Sequence, residues 1–362
     1  MPKKKKKSVN KAGALERSLA FIDTGCSLLN CVISGKVAGG YPCGRITNIV
    51  GDKSTGKTLL AIEACANFAQ QYPDGIIYYN ETESAFDKAY AASLGMPIER
   101  IEFAPPCYTV EDWYNHLVAI IEEDRNKPIL YILDSLDALS DVAELARGIG
   151  DATMGQNKAK KMSELFRRMN QKMSKANLTL IIISQVRANI GVKFGRKVIR
   201  SGGHALDFFA SIVLFLAHIK QLKKTKKKVE RPTGVVIQTK CDKNKVSMPF
   251  RECHFPIIFN FGIDSVAAAL EWAIENEQHR FFGLKSIEAA KEYLKESYSW
   301  DTKTYFKNLY RINAGLQEAW VEIEERFKPM RSKYSVEEVE KEISKEEKPR
   351  KAKRVSLRAS DM

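Results

Sequence analysis

The residues best suited to chemistry lie within one short stretch, Gly51-Asp52-Lys53-Ser54-Thr55-Gly56-Lys57-Thr58. Glycine at 51 and 56 lets the backbone curl until its N–H groups converge on one point, where an anion can sit. Lys57 adds a positive charge there, and the Thr58 hydroxyl is a ligand for a hard cation. The pattern is G-x-x-x-x-G-K-[ST], the loop that holds the phosphates of a nucleoside triphosphate. Its flanks agree with that reading. ITNIV (46–50) has the composition of a strand, and LLAIEACANFAQ (59–70) continues as a helix. The N-terminus of that helix adds positive potential at the loop.

Such a loop needs a carboxylate on the metal side, at the end of a neighbouring strand. The apolar run ILYILDSL (129–136) supplies Asp134, with Ser135 after it. A carboxylate closing a buried strand is costly unless it is paired or used. Thr58 and Asp134 are therefore expected to hold Mg²⁺, Asp134 through water. Asp137 competes for the role, but it lies past the strand end, where a turn residue is the simpler reading. Hydrolysis also needs a group to orient water. Glu81 and Glu83 follow the strand IIYYN (76–80), at the edge where an open α/β sheet forms its ligand crevice. Position alone does not choose between them.

The elements that must carry these residues alternate along the chain. After IIYYN come a helix, SAFDKAYAASLG, a strand, IEFA, and a helix, VEDWYNHLVAIIEED. PILYILDSL (128–136) and LTLIIIS (178–184) are apolar throughout, as strands of a parallel sheet are when covered on both faces. SIVLFLAHI (211–219), GVVIQTK (234–240) and CHFPIIFNF (253–261) follow without long helices between them, and predict an antiparallel extension of the sheet. The segment KQLKKTKKKVERP (220–232) reads as a lysine-rich turn between the first two. From about 265 the pattern is helical, in SVAAALEWAIENEQ, SIEAAKEYLKE and GLQEAWVEIEERF. The expected fold class is α/β, a mostly parallel central sheet extended by antiparallel strands, with a small helical C-terminal unit. The expected divisions are a basic tail and short arm over 1–21, a core over 22–264, a helical unit over 265–330 and a charged tail over 331–362.

The balance of 58 Lys and Arg against 44 Asp and Glu gives a formal charge of +14. That excess points to a polyanionic partner, nucleic acid before an anionic membrane surface. No apolar run approaches the length that spans a bilayer, so no membrane partner is expected. The N-terminal lysines precede no apolar core of a secretory signal. Seven cysteines at 26, 31, 43, 65, 107, 241 and 253 include no C-x-x-C pair, which argues against a zinc or disulfide framework and for a cytoplasmic chain.

Together these segments resemble the RecA family of recombinases over about 22–262. IDTGCSLLN (22–30) is similar to the family's entry to its core, and YYNETESAFD (78–87) to its strand-then-acidic segment. The resemblance implies an RecA-like ATPase core that binds ATP and Mg²⁺. It selects Glu83 as the residue that activates the attacking water. It places Tyr90 against adenine and Asp87 at the base edge.

SQVRANIGVKFGRKVIRSGGHALDFFAS (184–211) resembles the family's second DNA-binding loop, from Gln185 at its start to Gly202 and Gly203 at its end. The match makes Gln185 the sensor of the γ-phosphate. Arg187, Lys193, Arg196, Lys197 and Arg200 would contact phosphates and Phe194 would supply a stacking face. ARGIGDATMGQN (146–157) resembles the first DNA loop, with Gly150 among its glycines and Met154 as an apolar wedge. KCDKNKVSMPF (240–250) resembles the family's K-x-K element, so Lys243 and Lys245 would reach a neighbouring subunit's ATP.

The resemblance implies a DNA-dependent ATPase that forms helical homo-oligomers on single-stranded DNA, and drives homologous pairing and strand exchange with duplex DNA. Single-stranded-DNA-binding and mediator proteins would be partners, and the bacterial nucleoid or a phage-infected cytoplasm the location. FNFGIDSVAAALEWAIE (259–275) is closer to the phage UvsX type, and the stretch before the core is shorter than in cellular members. Two other readings share the ATPase core: a DnaB-type ring helicase and a non-catalytic recombination mediator. The helicase class lacks the lysine pair, and the mediator has no use for Glu83.

Overall fold

Strands that are apolar without alternation should be covered on both faces, and the central strands are. In the strand Ile129–Asp134 the side chains divide in turn: Leu130 and Ile132 join one hydrophobic cluster, while Ile129, Tyr131 and Leu133 join the other. The computed structural model describes residues 19–123, 126–146, 156–188, 198–200 and 205–331.

In chain order the elements are β1 (Phe21–Ile22), α1 (Ser27–Ser34), β2 (Tyr41–Pro42), β3 (Ile46–Gly51), α2 (Lys57–Gln71), β4 (Ile76–Glu81), α3 (Lys88–Ser93) and β5 (Ile101–Phe103). Then come α4 (Val110–Glu122), β6 (Ile129–Asp134), α5 (Val142–Leu145), α6 (Gln156–Lys175), β7 (Leu178–Ala188), β8 (Val198–Arg200) and α7 (Ala205–Phe209). The series ends with β9 (Ile212–Lys226), β10 (Val229–Asn244), β11 (Glu252–Ile258), β12 (Gly262–Ile263), α8 (Ser265–Glu275), α9 (Ile287–Ser297) and α10 (Thr302–Arg326).

The main sheet runs β12-β11-β10-β9-β3-β7-β6-β4-β5. From β9 to β5 the pairings are parallel, and from β9 to β12 they are antiparallel. The mixed sheet is thus the α/β class with the antiparallel extension expected from sequence. One face packs against α1, α2 and α8, through residues such as Leu29, Phe68 and Leu270. The other packs against α4 and α6, through Trp113, Phe166 and Met169. Phe282 and Tyr305, in the helical stretch after β12, belong to the first cluster. By contact the chain divides after Trp320, and Arg326 pairs with Glu322 one turn back in the second unit.

One segment differs from its expected form. The stretch 220–232 was expected as a turn, but β9 and β10 continue through it as a paired ribbon, with Lys226 opposite Val229. Only Lys227 and Lys228 make the turn, at φ 47° and 67°. Backbone pairing holds the ribbon together, and its solvated side chains leave no hydrophobic pattern to read.

Candidate active site

The loop from Gly51 to Thr58 joins β3 to α2, in the middle of the parallel region. Gly56 lies at φ +81°, and a Cβ there would come within 2.5 Å of Ile257 Cδ1. Only glycine satisfies both demands. The loop is closed from within. Thr55 Oγ1 donates to the Asp52 carbonyl at 2.8 Å, and Lys57 Nζ donates to the same carbonyl at 2.6 Å. Burial lowers the Lys57 pKa, while the carboxylates of Asp134 and Glu83 act in the opposite sense. Lys53 and Ser54 are exposed at the tip, with Ser54 at φ 58°.

Asp134 ends β6 opposite Glu81 in register. Its Oδ2 accepts Thr58 Oγ1 at 2.9 Å and Tyr79 OH at 2.8 Å. Burial raises the carboxyl pKa, and the two hydroxyl donors oppose that rise. The paired hydroxyl and carboxylate form an oxygen donor set of the kind a hard divalent cation takes, so these residues fit Mg²⁺. Ser135 is fixed by Thr82, whose hydroxyl donates to the Ser135 carbonyl and accepts the Ser135 N–H, both at 2.8 Å.

The two glutamates that position left undecided take different places. Glu81 folds back on its own chain, where its carboxylate accepts the N–H groups of Glu83, Ser84 and Ala85. Glu83 is exposed and reaches across, accepting the Ser135 hydroxyl and, at 3.2 Å, Nε2 of Gln185. Gln185 lies beside Gly51 in the β3–β7 register, and its N–H donates to Asp137 Oδ2 at 2.6 Å. Asp137, the rival for the metal, is thus engaged with β7. Tyr79, Thr82 and the Asp137–Gln185 contact are the parts that sequence reasoning missed. No residue spacing signals them, because they join separate strands.

Asp87 caps α3, its Oδ1 accepting the N–H groups of Ala89 and Tyr90, and Tyr90 is exposed. Lys243 and Lys245 sit elsewhere. Lys243 Nζ donates to the carbonyls of Asp207 and Phe208, and Lys245 Nζ to that of Phe208 at 2.9 Å. Both ammonium groups thus meet the C-terminal carbonyls of α7, where cations are favoured. Arg187 and Arg200 belong to β7 and β8, which pair antiparallel. Gly150, Met154, Lys193, Phe194, Arg196, Lys197, Gly202 and Gly203 lie outside the described residues.

A phosphate-binding loop, a strand-end carboxylate bonded to the loop hydroxyl, and a glutamate beyond the next strand define a P-loop nucleotide-binding fold. The chain matches the RecA N-terminal domain over residues 3–264 and belongs to the RecA family. Protein RecA of Leptospira meyeri is 34% identical over 264 residues, covering 70% of this chain. Protein RecA of Trichodesmium erythraeum is 35% identical over 244 residues, covering 67% of this chain. The chain spans 65% and 64% of the length of these two relatives. Among the described residues, no helix is long and apolar enough to cross a membrane.

Proposed function

We propose that this chain is an ATP-dependent DNA recombinase, which assembles as a helical homo-oligomer on single-stranded DNA and promotes pairing and strand exchange with homologous duplex DNA. The observation that carries the reading is the Glu83–Gln185 contact. It joins the side chain suited to orienting water to the strand that leads into the basic segment 187–203. Family membership supports the same reading.

In this reading the Gly51–Thr58 loop and Lys57 bind the triphosphate of ATP, with Asp87 and Tyr90 at the base. Mg²⁺, held by Thr58 and Asp134, would supply positive charge to the β- and γ-phosphates. Glu83 orients and deprotonates the attacking water, a role for which a carboxylate within reach of the γ-phosphate side is suited. Gln185 releases Glu83 to hydrogen-bond a phosphate oxygen, and β7 carries that change into the segment 187–203. Arg187, Lys193, Arg196, Lys197, Arg200 and Phe194, with Gly202 and Gly203, then grip the strand, assisted by Gly150 and Met154. Lys243 and Lys245 act on the ATP of the neighbouring subunit, which would make hydrolysis depend on assembly. Single-stranded-DNA-binding and mediator proteins fit this role as partners, and the cytoplasm as its location.

The test is ATP turnover with and without single-stranded DNA, paired with electron microscopy on DNA and a non-hydrolysable ATP analogue. Stimulated turnover and helical filaments are expected. Rings would favour the helicase motor, and a folded protein without stimulation would favour the mediator.

A further inference from the structure

In the parallel register of β4 and β6, Tyr79 lies opposite Ile132 and Glu81 opposite Asp134. Side chains two residues apart share a face of a sheet, so Tyr79 stands diagonal to Asp134. That face is the one covered by α2, the helix that begins with Lys57 and Thr58. The Tyr79 ring is fully buried there, 4.7 Å from the Phe86 ring and 6.2 Å from the Phe103 ring between centres. Close packing on this scale fixes where its hydroxyl can lie.

An ionised carboxylate only accepts hydrogen bonds, so the two hydroxyls that meet Asp134 both donate. Both reach Oδ2, Thr58 at 2.9 Å and Tyr79 at 2.8 Å. Among the described residues no donor holds Oδ1, which stays available to a cation or to its water. The two donors differ in what else they do. Thr58 would divide its oxygen between Asp134 and the cation, whereas Tyr79 serves Asp134 alone among the described contacts. Three residues further on, Thr82 clasps the backbone of Ser135. The strand β4 thus secures both residues at the end of β6. Tyr131, within β6, turns to the other face, where its hydroxyl meets Asn80 at 3.1 Å and His116 at 3.0 Å.

We propose that Tyr79 is a positioning residue of the ATPase site, holding the Asp134 carboxylate in the orientation that takes Mg²⁺. The proposal rests on the reading of Thr58 and Asp134 as the cation pair. Groups that hold a metal's ligands in place typically matter about ten- to hundredfold for metal affinity. The test uses the full chain and a fluorescent non-hydrolysable ATP analogue, titrated in excess EDTA and in excess Mg²⁺. The ratio of the two affinities is the coupling between cation and nucleotide, and it needs no turnover. The parent protein should gain affinity with Mg²⁺. Tyr79→Phe removes one oxygen and keeps the ring in its packing. It should match the parent in EDTA, and its gain with Mg²⁺ should be about tenfold smaller. Tyr131→Phe, which loses a buried hydroxyl of the same sheet on the other face, should match the parent in both conditions. An undiminished gain in Tyr79→Phe overturns the proposal. So does a loss of equal size in EDTA and in Mg²⁺, or the same diminished gain in Tyr131→Phe, since either makes the hydroxyl a support of the fold alone. A parent protein that gains nothing from Mg²⁺ would instead bring down the cation pair itself.

Discussion

The side-chain amide of Gln185 donates to Oε1 of Glu83 at 3.2 Å, across 102 positions of sequence. Glu83 stands beyond the end of β4, and Gln185 lies in β7, two strands away with β6 between them. One hydrogen bond therefore spans the crevice where the sheet meets the phosphate loop. A carboxylate held this way is positioned but uncommitted, because both of its partners are neutral and exchangeable.

Replacing Glu83 with Gln keeps the shape and removes the carboxylate proposed as the base. ATP and DNA binding should persist, while turnover falls by about a hundredfold or more. Filaments should then outlast those of the parent protein in a light-scattering chase. Rapid turnover in this variant would transfer the role to Glu81, although its carboxylate is engaged by three backbone N–H groups.

Lys57→Ala removes the partly buried lysine of the loop, whose ammonium donates to the Asp52 carbonyl. Nucleotide binding should weaken and turnover should fall by at least about a hundredfold. A fluorescent ATP analogue measures the first and phosphate release the second. Turnover at the parent rate would contradict the assignment of the loop.

The phosphate loop and Asp134 were legible because local order defines both: eight consecutive residues in one case, the last residue of an apolar strand in the other. Spacing alone did not choose between Glu81 and Glu83, and only the family resemblance pointed to Glu83. Both follow the same strand, and what separates them is a turn in which Ser84 takes φ 55° and brings Glu81 back on its own backbone. The helix α6 was also hidden. Met162, Leu165, Phe166, Met169 and Met173 recur at helical spacing and are all buried, but lysine, arginine and glutamine outnumber them. The β9–β10 ribbon was read as a turn because a solvated pair of strands has no apolar face.

Glu63, on the buried side of α2, gives a pH dependence. Burial pushes its pKa up to about 7, a backbone hydrogen bond from Ile263 opposes the shift, and Asp23 adds to it. The folded chain therefore binds more protons than the unfolded chain between the ordinary glutamate value and about 7, and stability should decline as pH rises through that window. Glu63→Gln should remove this slope and be more stable than the parent by about 1–2 kcal/mol at about pH 8. Urea unfolding at about pH 5 and about pH 8 measures it. Equal slopes in the two proteins would show that Glu63 titrates normally.

Chelation tests the cation pair. With EDTA in excess, ATP affinity and turnover should fall together, because Thr58 and Asp134 would then face the phosphates without their neutralising charge. Asp134→Asn should mimic that loss even in added Mg²⁺, as nucleotide titration by calorimetry would record. ATP affinity unaltered by either change would remove Asp134 from the site.

The most direct measurement is single-stranded DNA affinity with a non-hydrolysable ATP analogue and with ADP, in the parent protein and in Gln185→Ala. The parent should bind at least about tenfold more tightly with the analogue, and the variant should bind equally in both states. A parent protein indifferent to the nucleotide, or a variant that keeps the difference, would break the link between the phosphate site and the segment 187–203.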